Sequence, residues 1–128
     1  MTGSDGAALE GIGQIAITVH DLPRATRFYR EVLGLPLLFE VPTLAFFDAG
    51  GVRLMLGVAE DPKFDHPASI LYYRVGDIHA ATARLKATGA QFESEPHLIA
   101  KMPDHELWMA FLADSEGNTV GLMSEVRP

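Results

Sequence analysis

The chain has no cysteine, which excludes disulfides, thiolate-based zinc sites and thiolate nucleophiles. Basic residues are scarce: 10 Lys and Arg stand against 17 Asp and Glu, for a formal charge of −7. Nucleic-acid backbones and anionic membrane surfaces are held by clustered Lys and Arg. Neither is expected as a partner, and neutral or cationic small molecules are favoured. No apolar run approaches the ~20 residues of a membrane span, and residues 1–10 lack the basic and apolar regions of a signal peptide. The expectation is a cytoplasmic protein with a flexible tail over residues 1–10. A glycine-rich phosphate loop and a Ser-His-Asp arrangement are also missing.

What the chain does have is a strongly patterned opening. Ile15, Ile17 and Val19 alternate with Ala16 and Thr18, the period of a strand with one face on a core. Asp21 follows at an N-cap position, with Pro23 in the first turn, where a missing N–H costs nothing. Leu22, Ala25, Phe28, Tyr29, Val32 and Leu33 recur at helical spacing and predict a helix with one apolar face. Gly34 supplies its left-handed stop.

Three strands are predicted next. The first covers 35–41, with Pro36 confined to its start or to an edge. The others, 43–48 and 52–56, join through a turn at Ala49, Gly50 and Gly51. Residues 59–67 are polar, carry prolines and show no period, as a link would. Then the opening pattern returns. Residues 70–75 align with 14–19, Asp77 with Asp21, and 78–88 predict a helix ended by Gly89. Residues 91–95 read as a short strand, while 107–113 and 118–123 form a hairpin about 114–117. Setting Gly51 on Gly117 brings Leu54 onto Val120 and Leu56 onto Leu122, so strand-helix-strand-strand-strand is written twice. The reading is an α+β chain: a tail at 1–10, then one domain at 11–128 made of a module at 11–58, a linker at 59–68 and a module at 69–128.

Three motifs in this order carry a resemblance: Val19, His20, Asp21 and Leu22 with Phe28, Tyr29, Leu33 and Gly34; Val75, Gly76, Asp77 and Ile78 with Leu85 and Gly89; and Asp114, Ser115, Glu116, Gly117 and Asn118. Together they resemble the vicinal oxygen chelate superfamily, which includes glyoxalase I, the bleomycin-resistance proteins, methylmalonyl-CoA epimerase and extradiol dioxygenases. The likeness runs from Gly11 onward. It implies two βαβββ modules forming an incomplete eight-stranded barrel with helices outside, a small-molecule pocket within, and a homodimer. Fold transfers on such a likeness; chemistry has to be argued from the site.

Metal-dependent members draw their ligands from inward positions on the first and last strands of the modules. The resemblance puts these at Gln14, Met55, Ile70 and Gly121. A hard or borderline divalent ion needs imidazole, carboxylate or amide oxygen, and only Gln14 qualifies. No metal and no other cofactor is expected. Because side chains two apart share a face, Ala16 and Thr18 join Gln14, Arg53 joins Met55, Tyr72 and Arg74 join Ile70, and Thr119 and Met123 join Gly121. The result is an apolar cavity with a few polar groups, the usual make-up of a ligand pocket. Arg53 and Arg74 either pair a ligand carboxylate or phosphate or keep their guanidinium groups in water at strand ends. Tyr72 is expected to hydrogen-bond inside the pocket. Met55 and Met123 serve equally as adaptable lining or as core.

The run 101–109 crowds Asp104, His105 and Glu106 beside the single tryptophan, Trp108. His105 with Asp104 or Glu106 would make a general base oriented by a carboxylate, and Trp108 would stack on a flat or cationic ligand. His20, His66 and His79 are expected at the surface, and 98–104 is expected to be a loop between His97 and His105. Three functions compete. One is a metal-free protein binding an apolar or aromatic ligand, as bleomycin-resistance proteins do; the second is a glyoxalase-like lyase, isomerase or dioxygenase using His105 and Glu106 or a non-standard metal site; the third is a structural or regulatory module whose sheet edges serve assembly, with Phe39, Phe46 or Phe64 at a dimer contact.

Overall fold

The computed structural model describes residues 8–128. Of the expected tail, residues 1–7 lie outside the described residues, and 8–10 form neither helix nor strand. Strand β1 (Gln14–Thr18) leads into helix α1 (Leu22–Arg27), whose turns widen to π-helical geometry over Phe28–Val32. The Asp21 carboxylate caps α1 by accepting from the Arg24 amide at 3.1 Å, meeting one of the orphan donors of a helix start. At the far end the Leu33 N–H reaches back five residues to the Phe28 carbonyl at 3.0 Å. Gly34, at φ 77°, then turns the chain out of the helix.

Strands β2 (Leu37–Val41), β3 (Leu44–Ala49) and β4 (Val52–Gly57) complete the first half. The turn between β3 and β4 needs two left-handed residues, and Gly50 and Gly51 supply φ of 68° and 98°. A short 3-10 turn, Pro62–Phe64, interrupts the link to β5 (Leu71–Arg74), α2 (Ile78–Ala87), β6 (Gln91–Lys101), β7 (Glu106–Ala113) and β8 (Thr119–Val126). Asp77 caps α2 by accepting from the amides of His79 and Ala80. Among the described residues no helix is long and apolar enough to cross a membrane.

The strands form two four-stranded sheets, ordered β1-β4-β3-β2 and β5-β8-β7-β6. In each, the first strand pairs in parallel with the last, and the other pairs are antiparallel. Ile15 stands opposite Leu54 and Ile17 opposite Leu56; Leu71 stands opposite Val120 and Tyr73 opposite Leu122. These are the equivalences the internal repeat implies, and the halves are two βαβββ modules. They do not close into a continuous wall: the eight strands remain two separate sheets.

One element departs from expectation. β6 runs for 11 residues where a short strand was read, so most of 98–104 is strand and not loop. Pro96 interrupts the sequence pattern there. It is tolerated because β6 is an edge strand, where a missing N–H breaks no ladder, and because the register shifts between Ser94 and His97 absorb it. Only a tight turn at 102–105 separates β6 from β7, closed by the Met102 amide on the His105 carbonyl at 2.8 Å.

Each sheet buries one face under its helix. Ile17, Val19, Ala25, Tyr29, Phe47 and Leu56 fill the first core, and Ile78, Ala110, Leu112, Val120 and Leu122 the second. Fully burying a side chain such as Phe47 or Leu56 contributes about 1.5–3 kcal/mol. Phe28 and Leu33 pack against both clusters, so the end of the first helix joins the two cores. The helix-free face of each sheet is left open.

Candidate functional site

The parity that buries Ile17, Leu54 and Leu56 turns Ala16, Thr18, Arg53 and Met55 to the open face of the first sheet. There the Arg53 Nε donates to Gln14 Oε1 at 2.9 Å, and Gln14 Nε2 lies 3.8 Å from Met55 Sδ. The Arg53 guanidinium also sits 5.7 Å from the centre of the Phe46 ring. Arg53 is thus held along the sheet by an amide and an aromatic face. Phe46 in turn stacks on Phe39 with ring centres 4.4 Å apart. Sequence reading offered Phe39 and Phe46 for a dimer contact and did not place them beside Arg53 on this face. The signal for that placement was the position of Phe46 two residues from Leu44 and opposite Met55, legible only once the register of β3 on β4 is known.

The linker folds across the other end of the same face. Thr18 Oγ1 donates to the Phe64 carbonyl at 2.8 Å. Between linker and sheet lies a cavity of about 440 Å³, walled by Ala16, Thr18, Met55, Gly57, Phe64 and His66 among others. That is within the roughly 300–1,000 Å³ of small-molecule sites. Larger hollows, about 680 Å³ and 470 Å³, lie on the helix side. The larger is a groove between α1 and β2–β3 edged by Arg27, Arg30, Glu31 and Glu40, and it contains none of the candidate site residues.

On the second sheet, Tyr72 stands opposite Gly121 and Arg74 opposite Met123. The Tyr72 ring lies directly on Gly121: a Cβ there would fall 2.6 Å from Tyr72 Cδ2. Phe111, the neighbour of Gly121 on β7, meets that ring edge-on at 5.8 Å. Tyr72 was expected as a buried phenol, but it is 45% exposed.

One expectation is corrected on β7. Trp108 was read as pocket wall; it pairs with Ser124 and shares the helix-side face with Ala110 and Leu112. Its ring meets His79 of α2 edge-on at 5.4 Å, and its Nε1 donates to Glu106 Oε1 at 3.1 Å. Strand parity decides this, since Phe111 on the same strand takes the open side. Of the two carboxylates the sequence offers His105, the structure sets Asp104 beside it: in the β6–β7 turn His105 Nδ1 lies 2.7 Å from Asp104 Oδ1, while Glu106 accepts from Trp108. The hydrogen bond from His105 holds the Asp104 carboxyl below the usual carboxylate range.

The four positions that the resemblance assigns to metal ligands can be placed in the structure. Gln14 and Met55 touch on the first sheet, Gly121 lies under Tyr72 on the second, and Ile70 precedes β5. An amide, a thioether, a branched alkyl chain and a glycine do not fit a divalent ion. Among the described residues no group of three or more His, Asp or Glu side chains is arranged to hold a metal ion as an alternative.

The comparisons with known proteins agree with this architecture. The model of the Glyoxalase/Bleomycin resistance protein/Dioxygenase superfamily matches residues 11–122. The chain belongs to that superfamily, whose fold is the vicinal oxygen chelate fold. TnmS3, an antibiotic binding protein from Streptomyces sp. CB03234, has a TM-score of 0.72 at 25% identity, over 92% of this chain and 98% of that one. A lactoylglutathione lyase from Agrobacterium tumefaciens has a TM-score of 0.71 at 22% identity, over 91% and 94%. The metallothiol transferase FosB of Staphylococcus haemolyticus is 38% identical over 48 residues, 38% of this chain and 34% of the relative. The match to this curated relative thus spans about a third of its length.

Proposed function

We propose that this chain is a metal-free small-molecule-binding protein of the superfamily, and that its ligand is an apolar or aromatic compound, neutral or cationic, seated on the open face of the first sheet. The observation that carries this reading is the combination at that face: the metal positions hold a donor set unfit for a divalent ion, while a cavity of about 440 Å³ remains beside them. Met55 and Phe64 supply adaptable and aromatic walls, and Thr18 a hydroxyl at the edge. The likeness to TnmS3, an antibiotic binding protein, supports the same class of ligand. The protein works in the cytoplasm as a homodimer on this reading, since the exposed Phe39, Tyr72, Leu98 and Ile99 are apolar surface that pairing covers.

The enzyme alternative has less behind it. His105 has an orienting carboxylate in Asp104, but neither His105 nor Glu106 lines the cavity over the first sheet.

Calorimetric titration of bleomycin and a set of neutral and cationic aromatic antibiotics tests the proposal. Saturable binding is expected for at least one compound, weakened about tenfold or more by Met55→Lys, a change of ~1.4 kcal/mol. Elemental analysis of protein purified without added metal is the counter-test. A stoichiometric divalent ion that is lost with Gln14→Ala overturns the reading.

A further inference from the structure

His20 sits in the β1–α1 connection with its ring between two carboxylates. Nε2 lies 2.8 Å from Asp65 Oδ1 in the linker, and Nδ1 lies 3.0 Å from Glu116 Oε1 in the β7–β8 turn. These two acids are the charged groups facing the ring. Asp21, next in the chain, directs its carboxylate to the Arg24 amide instead. Thr18, two residues before His20, holds the Phe64 carbonyl on the same linker, and linker residues 59–61, with Phe64 and His66, wall the cavity over the open face. The linker therefore crosses the proposed ligand seat as a strap, with His20 at its fastening.

A neutral imidazole has one N–H and one lone pair, while the imidazolium has two N–H groups. Both carboxylates accept from His20 only when the ring is protonated. Once it is neutral, one of them faces a lone pair. Glu116 has other holds: its Oε1 and Oε2 accept from the amides of His20 and Asp21 at 3.0 and 3.1 Å, and its side chain is only 11% exposed. The Asp65 side chain is 46% exposed, and its carboxylate has no other hydrogen bond among the described residues. The strap side is the one that lets go.

We propose that residues 59–66 form a pH-sensitive strap over the ligand seat, latched by protonated His20 through Asp65 and loosened when His20 loses its proton. The role of the strap in ligand retention rests on the reading of the open face given above. The latch rests only on the cluster itself. Hydrogen bonding to Asp65, then its charge, then Glu116, raise the His20 pKa above its ordinary 6.5. A raised folded value means the latch is complete below the unfolded pKa and is lost as pH rises through the folded one. The ring is 70% exposed, so added salt weakens the latch.

The test uses the full chain. NMR is used to titrate the His20 ring and to follow amide exchange at Lys63, Phe64 and Asp65 from about pH 5.5 to about pH 8.5, corrected for intrinsic rates. Protection at these amides is expected to fall several-fold as His20 titrates, and to be low and flat with pH in His20→Gln and Asp65→Asn. Asp65→Asn should also return the His20 midpoint toward 6.5. Strap protection that ignores pH, or that His20→Gln leaves intact, overturns the latch. Dissociation of whichever antibiotic binds is then timed over the same range, and release should quicken with pH in the wild type alone. If the strap opens with pH but release does not change, the latch stands and its link to ligand retention is overturned. If no compound binds at all, the exchange result still decides the latch.

Discussion

The Tyr29 hydroxyl donates to Asp114 Oδ2 at 2.7 Å, across 85 positions of sequence, and so bolts the helix of the first module to the last hairpin of the second. Asp114 is only 6% exposed. Its other oxygen accepts from the amides of Glu116 and Asn118, each at 2.8 Å, and Asn118 Nδ2 adds a fourth donor at 3.1 Å. One carboxylate thus shapes the turn and joins the modules.

Because these donors are unequal in number, the two partners should differ on truncation. Tyr29→Phe removes one hydrogen bond to a charged group and is expected to cost about 1.5–3 kcal/mol. Asp114→Ala strands several donors at once and should cost more, upward of about 3 kcal/mol. Urea unfolding of both variants checks the order. Equal losses would show that the turn does not depend on Asp114.

Alkaline pH should loosen the same region. Burial, then the nearby Asp114 charge, pushes Tyr73 up to about 12 and Tyr29 higher still. A tyrosine whose folded pKa is raised stays neutral in the native state after the unfolded chain has begun to ionise. Stability is therefore constant below about pH 10 and falls as pH climbs toward the folded values. The Tyr73 hydroxyl is buried with no partner among the described residues. Tyr73→Phe is accordingly expected to change stability at neutral pH by less than about 1 kcal/mol and to soften the alkaline loss. Urea midpoints measured at neutral and alkaline pH give the answer; a large neutral-pH loss would mean the hydroxyl has a partner.

Gly121 leaves the Tyr72 ring its place. In Gly121→Ala the new methyl would meet Cδ2 at 2.6 Å, Cε2 at 3.0 Å and Cγ at 3.2 Å, so the side chain must rotate from its root. A loss of about 1–3 kcal/mol is expected. Tyr72→Ala in the same chain should recover most of it, giving a coupling energy in a double-mutant cycle. Additive losses would mean that the ring is not the obstacle.

Chelation supplies a fourth check. With Gln14, Met55, Ile70 and Gly121 at the positions the resemblance assigns to metal, dialysis against EDTA should leave the melting temperature unchanged, and added zinc should not raise it. A melt that drops on chelation and returns with one equivalent of metal would contradict the proposed binding role.

The pattern of residues along the chain is enough to specify the elements and their pairing plan. Asp21, Pro23 and Gly34 punctuate the first helix, Gly50 and Gly51 define a hairpin, and the repeat aligns Leu54 with Val120. These are short-range effects of backbone sterics and period, legible wherever the signal lies within a few residues. The one strand misread, β6, failed for a neighbour's reason: Pro96 ends a central strand but not an edge strand, and edge position is a property of the sheet.

Site chemistry was less legible, for the same physical cause. Parity along β7 alone does not say which face is open, so Trp108 looked like pocket wall until α2 was seen to cover it through His79. Adjacency offered His105 both Asp104 and Glu106, and only the folded turn shows that it meets Asp104 while Glu106 faces Trp108. His20 looked bare because its two acids lie in the linker and in a turn of the other module. Local sequence determined all the strands but β6, the caps and the two copies of the repeat, since each is written in residues close together along the chain. Tertiary structure alone decided which face stayed open, which acids His20 met and where the linker lay, because those depend on groups that only folding brings within hydrogen-bond reach.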